Sequence, residues 1–217
     1  MKRSSAVVIV AALTMLAFAA GGVSGAGALS PSVSKRYGPG AVKGWVFTAV
    51  DAPPGFTAPA STRQTLTQAW DYGSSLRAQT SVVKARWRAD GFQGAFYSYM
   101  HFSADPQDQR AWPPGLRGVY SQVAVFRDKA GARDALRAER NFKQTAEGDG
   151  FLPAPSDLGQ GAIGLIGLTA DNPPIQFDTF MWLQNNVVLF VQASGKQNTF
   201  TLVEAQDWAL KLKTKIK

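Results

Sequence analysis

The 217-residue chain has no cysteine. That absence excludes disulfide stapling and thiolate chemistry, and it excludes a lipoprotein signal, whose acylated residue is a cysteine. Histidine occurs once, as His101, and no sequence cluster of His, Cys or carboxylate residues supplies the several ligands a zinc site needs. The D-x-D-x-D-G pattern of a calcium loop is missing, as is the G-x-S-x-G elbow of a serine hydrolase. Negative charge is sparse: Asp and Glu number 15 against 23 Lys and Arg, and none precedes Asp51. No basic-zipper heptad or other nucleic-acid motif occurs, so the sequence points to no nucleic acid partner, no metal and no cofactor. Without a covalent or metal staple, stability has to come from a core, which the 45% hydrophobic composition can build.

What is present begins with a leader. Lys2 and Arg3 precede an uncharged run from Ala6 to Ala20, which dissolves into the small-residue stretch GGVSGAGALSP. Basic, then apolar, then small is the order of a secretory signal peptide, assigned to residues 1–28. Two small-x-small sites are available, Ser24-Gly25-Ala26 and Ala26-Gly27-Ala28; the second leaves a mature chain of about 190 residues beginning at Leu29. An uncleaved anchor is the alternative, since the uncharged stretch runs from Ser4 to Ser34, but residues 19–28 are too weakly apolar to favour it. The formal charge of +8 falls by two with Lys2 and Arg3, to +6, a basic excess that suits an anionic envelope surface and equally a solvated exterior.

Residues 29–44, rich in Ser, Pro and Gly, read as a linker, with the folded domain over 45–217 and WVFTAV as its first strand before the Pro53-Pro54-Gly55 turn. A helix is expected from Ser75 to Ala89, with Leu76, Val83 and Trp87 inward, Arg77, Lys84 and Arg88 as a basic face, and Gly91 as its left-handed cap. FQGAFYSYMHF alternates as a strand, with Phe92, Phe96, Met100 and Phe102 on one face and Gln93, Tyr97, Tyr99 and His101 on the other. A second strand places Val119, Val123 and Val125 together, and Asp128 caps a helix over 129–146. That helix ends at GDGF, an echo of the earlier ADGF, which hints at two similar halves. IQFDTFMWLQ and VVLFVQAS flank Asn185-Asn186 as a tight hairpin; Met181 then opposes Phe190 on one face and Trp182 opposes Leu189 on the other. Thr201-x-x-Glu204 is a capping box, and Leu202, Ala205, Ala209, Leu212 and Ile216 define a final amphipathic helix with lysines crowding its end.

Gly159, Gly161 and Gly164 match G-x-G-x-x-G, the spacing of a dinucleotide loop. Such a loop must leave a strand and open a helix, and no helix pattern follows here, so the glycines are assigned to backbone geometry around a short buried strand, AIGLIGL. His101, with Ser103, Asp105 and Asp108 nearby in sequence, evokes a hydrolase triad; triads are assembled from distant elements, and a histidine bonded to a backbone group is the favoured reading. Asp71, Asp90, Asp105, Asp108, Asp149, Asp171 and Asp178 are the carboxylates open to pairing for glycoside hydrolysis. Tyr97, Tyr99, Phe180 and Trp182 form the candidate ligand-binding set: if their two strands lie in one sheet they can line a cleft for a lipid or glycan, although such residues more often pack under a covering helix.

DAPPGFT, SQVAVFRDKAGARDAL, DLGQGAIGL, WLQNNVVLFVQASG and EAQDWALKLKTKI together resemble a diffuse group of uncharacterised exported bacterial proteins. The closing pattern, a turn at LGQGA, an Asn-tipped hairpin and a terminal helix, is similar to the extracellular sensor domain of mycobacterial serine/threonine kinases and to related envelope lipoproteins. The chain lacks that domain's cysteines, the lipoprotein cysteine and any kinase domain. The resemblance implies an α+β fold, an antiparallel sheet with helices packed on it as a single compact domain, and a possible ligand cleft. The expected function is an exported, non-enzymatic binding module for an envelope lipid, glycan or small molecule. The alternatives are a structural or protein-interaction component of the envelope and a carboxylate hydrolase.

Overall fold

Two long alternating strands set the architecture, because an element that is apolar on both faces must be covered twice. The computed structural model describes residues 35–57, 62–64, 84–102, 114–159, 161–170 and 174–216. The signal segment, the expected start at Leu29 and the first part of the 75–89 helix, with Arg77, lie outside these residues. The strands in chain order are β1 (Phe56–Thr57), β2 (Thr62–Gln64), β3 (Phe92–Phe102), β4 (Leu116–Phe126), β5 (Gly150–Leu152), β6 (Ile163–Leu168), β7 (Ile175–Gln184) and β8 (Val187–Lys196). They form one antiparallel sheet in the order β1-β3-β4-β8-β7-β6-β5, with β2 also pairing along β3. Helices α1 (Pro39–Val42), α2 (Lys129–Phe142) and α3 (Leu202–Thr214), and a helical stretch at 84–89, pack on it. The fold is α+β, as the sequence pattern implies.

The hairpin register is the expected one: Met181 faces Phe190 and Trp182 faces Leu189. Asn185 takes the positive φ, 54°, that the two-residue loop demands. Asp128 accepts from the Gly131 amide at 2.9 Å, and Thr201 and Glu204 close a complete capping box at the start of α3. Trp87 is buried on the stretch 84–89, and Gly91 caps its end at φ 79°. At the corresponding exit of α2 the left-handed glycine is Gly148, φ 75°, two residues before the glycine that the DGF echo would align.

One face of the sheet, here face one, carries Phe96, Met100, Val119, Val123, Leu189 and Val191, closed over by Ala205, Ala209 and Leu212 of α3. The opposite face two carries Ala95, Ala124, Phe126, Met181 and Val188 under Ala132, Ala135, Leu136 and Phe142 of α2, beside Trp87.

Four expectations are corrected. Residues 35–44 are not a linker: Tyr37 and Val42 are buried in the face-one core, and Pro39 starts a helical turn there. Their anchor is Asn186, whose Oδ1 accepts from the Tyr37 amide at 2.8 Å and whose Nδ2 donates to the Tyr37 and Phe126 carbonyls at 2.9 and 2.7 Å. WVFTAV is not a strand; Trp45, Val46 and Phe47 pack onto face one, the Phe47 amide donating to Ser121 Oγ at 3.1 Å. Phe92 does not share a face with Phe96, because a register shift between Phe92 and Gly94 turns it toward Trp87 and Phe126 on face two. The helix expected over 129–146 is α-helical only to Phe142, and a π-helical turn takes Lys143–Glu147.

Candidate functional site

The four aromatic residues expected to line one cleft lie in one sheet, but on opposite faces of it. Phe180 and Trp182 are core residues of face one, 0% and 2% exposed, beneath α3. Tyr97 and Tyr99 stand on face two and are half-buried. Strand alternation fixes which residues of one strand share a side; only the intervening β4 and β8 decide how β3 and β7 are phased, and they set Tyr97 against Gln122, Gln122 against Phe190, and Phe190 against Met181.

The residues that do gather around Tyr97 and Tyr99 come from β4 and β8. Tyr97 stacks on Tyr120 at 5.9 Å, Tyr120 meets the Phe190 ring edge-to-face at 5.6 Å, and Lys143 Nζ lies 5.7 Å from the Phe190 ring centre. Tyr99 stacks on His101 at 5.4 Å. Gly118 makes this possible: a side chain there would come within 2.9 Å of the Tyr99 hydroxyl. Polar groups alternate with the rings, since Gln122, Gln192 and Ser194 project on the same face, Gln192 Nε2 donating to Thr179 Oγ1 at 3.1 Å. At the edge of this strip, Lys143 and Asp149 approach at 3.9 Å, both largely buried, with Asp149 lying against Gly167 of β6. The π-helical turn carries Lys143, consistent with the tendency of such turns to occur at functional sites. Tyr120, Phe190 and Gln192 were not singled out from sequence, although VYSQV already alternated Tyr120 and Gln122 against the valines.

His101 Nδ1 lies 3.1 Å from the Phe102 carbonyl, the backbone-bonded state expected for it. Ser103, Asp105, Asp108, Asp71 and Asp171 lie outside the described residues. Of the seven candidate aspartates, the three described ones stand in different places: Asp90 ends the 84–89 helix beside Arg86 at 3.3 Å and within reach of the Asp134 charge, Asp149 sits by Lys143 on face two, and Asp178 is enclosed on the other side. Burial pushes the Asp178 carboxyl above its ordinary range, opposed only by the Gln176 amide donating to both its oxygens. Arg117, 2% exposed at the β4 register shift, rests its guanidinium 5.4 Å from the Phe102 ring, and burial pulls its pKa down. Among the described residues no group of His and carboxylates could hold a metal ion. No described helix is long and apolar enough to cross a membrane.

The glycine motif does what backbone geometry requires. Gly159 and Gly161 take φ of 102° and 84°, a strand rather than a helix follows, and a Cβ on Gly164 would come within 2.5 Å of the Leu152 carbonyl oxygen.

These features define a class: an α+β domain built on one antiparallel sheet, with one face sealed by helix and chain and the other covered, among the described residues, by α2 and Trp87. Among solved structures the chain is similar in fold to the extracellular domain of PknH from Mycobacterium tuberculosis. The TM-score is 0.59 at 13% identity, over 84% of this chain and 98% of that one. The motif resemblance and the fold likeness thus point the same way. No protein-family model matches the chain, and no curated protein sequence matches it.

Proposed function

We propose that the chain is a non-enzymatic extracytoplasmic binding module whose ligand lies on the aromatic half of face two. The observation that carries this is the strip Tyr97–Tyr120–Phe190, half-buried rings with the half-buried Gln192 beside them and Gln122 and Ser194 buried between them. Ring faces flanked by amides and hydroxyls match the alternating C–H faces and hydroxyls of a sugar ring, and of the lipid, glycan and small-molecule alternatives the strip suits a glycan best. The fold likeness to an extracellular domain supports an extracytoplasmic setting, and the leader over residues 1–28 supports export. The placement of Asp149 and Asp178 on opposite faces of the sheet, with Asp90 at the end of the 84–89 helix, disfavours a carboxylate hydrolase built on these three, because glycoside hydrolysis needs two carboxyls flanking one bond. The test is a screen of cell-envelope oligosaccharides against the wild type and Tyr120→Ala. Binding that falls at least tenfold in the variant supports the reading; no binding, or binding that Tyr120→Ala leaves unchanged, removes it in favour of a structural or protein-interaction role.

A further inference from the structure

Along the flank of α2, beside the buried Leu136, the helix shares a groove of about 510 Å³ with β5, β6 and the end of β7. One wall is cationic: Arg133, Arg137 and Arg140 recur at helical spacing and line it together. The other is apolar, formed by Leu152, Ile163 and Leu183 with the glycine segment, and Phe151 stands at the rim 70% exposed. Local negative charge is slight. Arg137 reaches Asp134 at 3.6 Å across a solvent-exposed pair, and Arg140 engages only the Asn141 amide oxygen. Gly161, at φ 84°, borders the groove with open space beside it.

We propose that this groove docks the phosphorylated headgroup of an anionic phospholipid at a bilayer surface. Three guanidiniums on one wall complement a phosphate, which planar guanidinium forks bind well. The exposed Phe151 gives the interface an apolar anchor of the kind that sits at headgroup level. The groove is too small for a whole phospholipid and suits a headgroup with its glycerol. This site is separate from the aromatic strip and does not rest on it.

The experiment is flotation of the full chain with vesicles of phosphatidylcholine alone or with added phosphatidylglycerol. The triple variant Arg133→Gln, Arg137→Gln, Arg140→Gln is compared with a control of equal charge loss, Lys43→Gln, Arg88→Gln, Lys129→Gln. The leader is common to all three chains, so it cancels. At roughly fivefold per basic residue near an anionic surface, the groove variant should bind phosphatidylglycerol vesicles about 100-fold more weakly while the control loses far less. Phe151→Ser should weaken binding with no change of charge. Equal losses in the two charge variants would reduce the effect to bulk electrostatics and overturn the proposal, as would binding indifferent to phosphatidylglycerol. Saturable binding of inorganic phosphate or glycerol phosphate as tight as that of vesicles would also overturn it, assigning a soluble ligand instead. Unchanged melting temperatures keep these outcomes readable, since all six substituted basic residues lie on the surface.

Discussion

The two faces of the sheet receive the same strands and are finished differently. Face one is closed by α3 and by the chain from Tyr37 to Phe47, and it buries Phe47, Met100, Phe180, Leu189 and Leu212 to 0% exposure, or within a percent of it. Among the described residues, face two is covered by α2 and Trp87, and Tyr97, Tyr99, Tyr120 and Phe190 are half-buried beside them. Neighbours on one strand therefore differ: Leu189 is fully buried in the face-one core, and Phe190 is half-buried against the face-two cluster, edge-to-face with Tyr120. Both faces carry a buried core, and the half-buried rings of face two are where the proposed ligand would lie.

The sharpest way to break that comparison is to truncate the two neighbours. Leu189→Ala should cost about 3 to 4 kcal/mol of unfolding free energy, through lost burial and a cavity, whereas Phe190→Ala, at a half-buried position, should cost about 1 kcal/mol. Denaturant melts of the two variants measure this directly, and similar losses would erase the distinction. Asn186→Ala should come next, at about 2 to 3 kcal/mol, because it leaves the buried Tyr37 amide and carbonyl and the Phe126 carbonyl short of a partner. Amide exchange at Tyr37 should rise in that variant.

Acid sharpens the contrast within the enclosed carboxylates. Burial pushes the Asp51 carboxyl up, but Lys215 at 2.7 Å and the Thr48 amide outweigh it and hold its pKa below the ordinary value. Its stabilising contribution is complete above the unfolded-state pKa, near pH 4, and is lost as pH falls through the lower folded value. Asp178 has the opposite sign. Both states bind its proton below about pH 4, and as pH rises the folded state is penalised, fully so above its raised pKa. Asp51→Asn should therefore lower the melting temperature at pH 7, and Asp178→Asn should raise it; both differences should shrink on acidification. The smallest stability effect is expected for Tyr120→Ala, which should change the melting temperature little and ligand affinity strongly.

Much of the fold was legible in the sequence because its signals are local. The Asn185-Asn186 loop fixed the hairpin register, Thr201 and Glu204 marked the start of α3, and Asp128 marked the start of α2. The corrections fall where a distant residue decides. Residues 35–44 have the composition of a linker, and only Asn186, 149 positions from Tyr37, turns them into part of the core. Phe92 obeyed alternation until the shift at Gly94, which no periodicity announces. The aromatic set split for the same reason. Pattern shows that Tyr97 and Tyr99 share a side, as do Phe180 and Trp182, but the strand order β3-β4-β8-β7 places the two pairs on opposite sides of the sheet.

The central proposal, that the aromatic strip of face two holds a ligand, is tested most directly by native mass spectrometry of the protein isolated from its own host's envelope fraction. The wild type and Tyr120→Ala would be compared before and after denaturation. The account predicts a wild-type mass above that of the chain, returning to the bare chain on denaturation and missing from the variant. A bare wild-type chain, or an added mass that Tyr120→Ala retains, would contradict it.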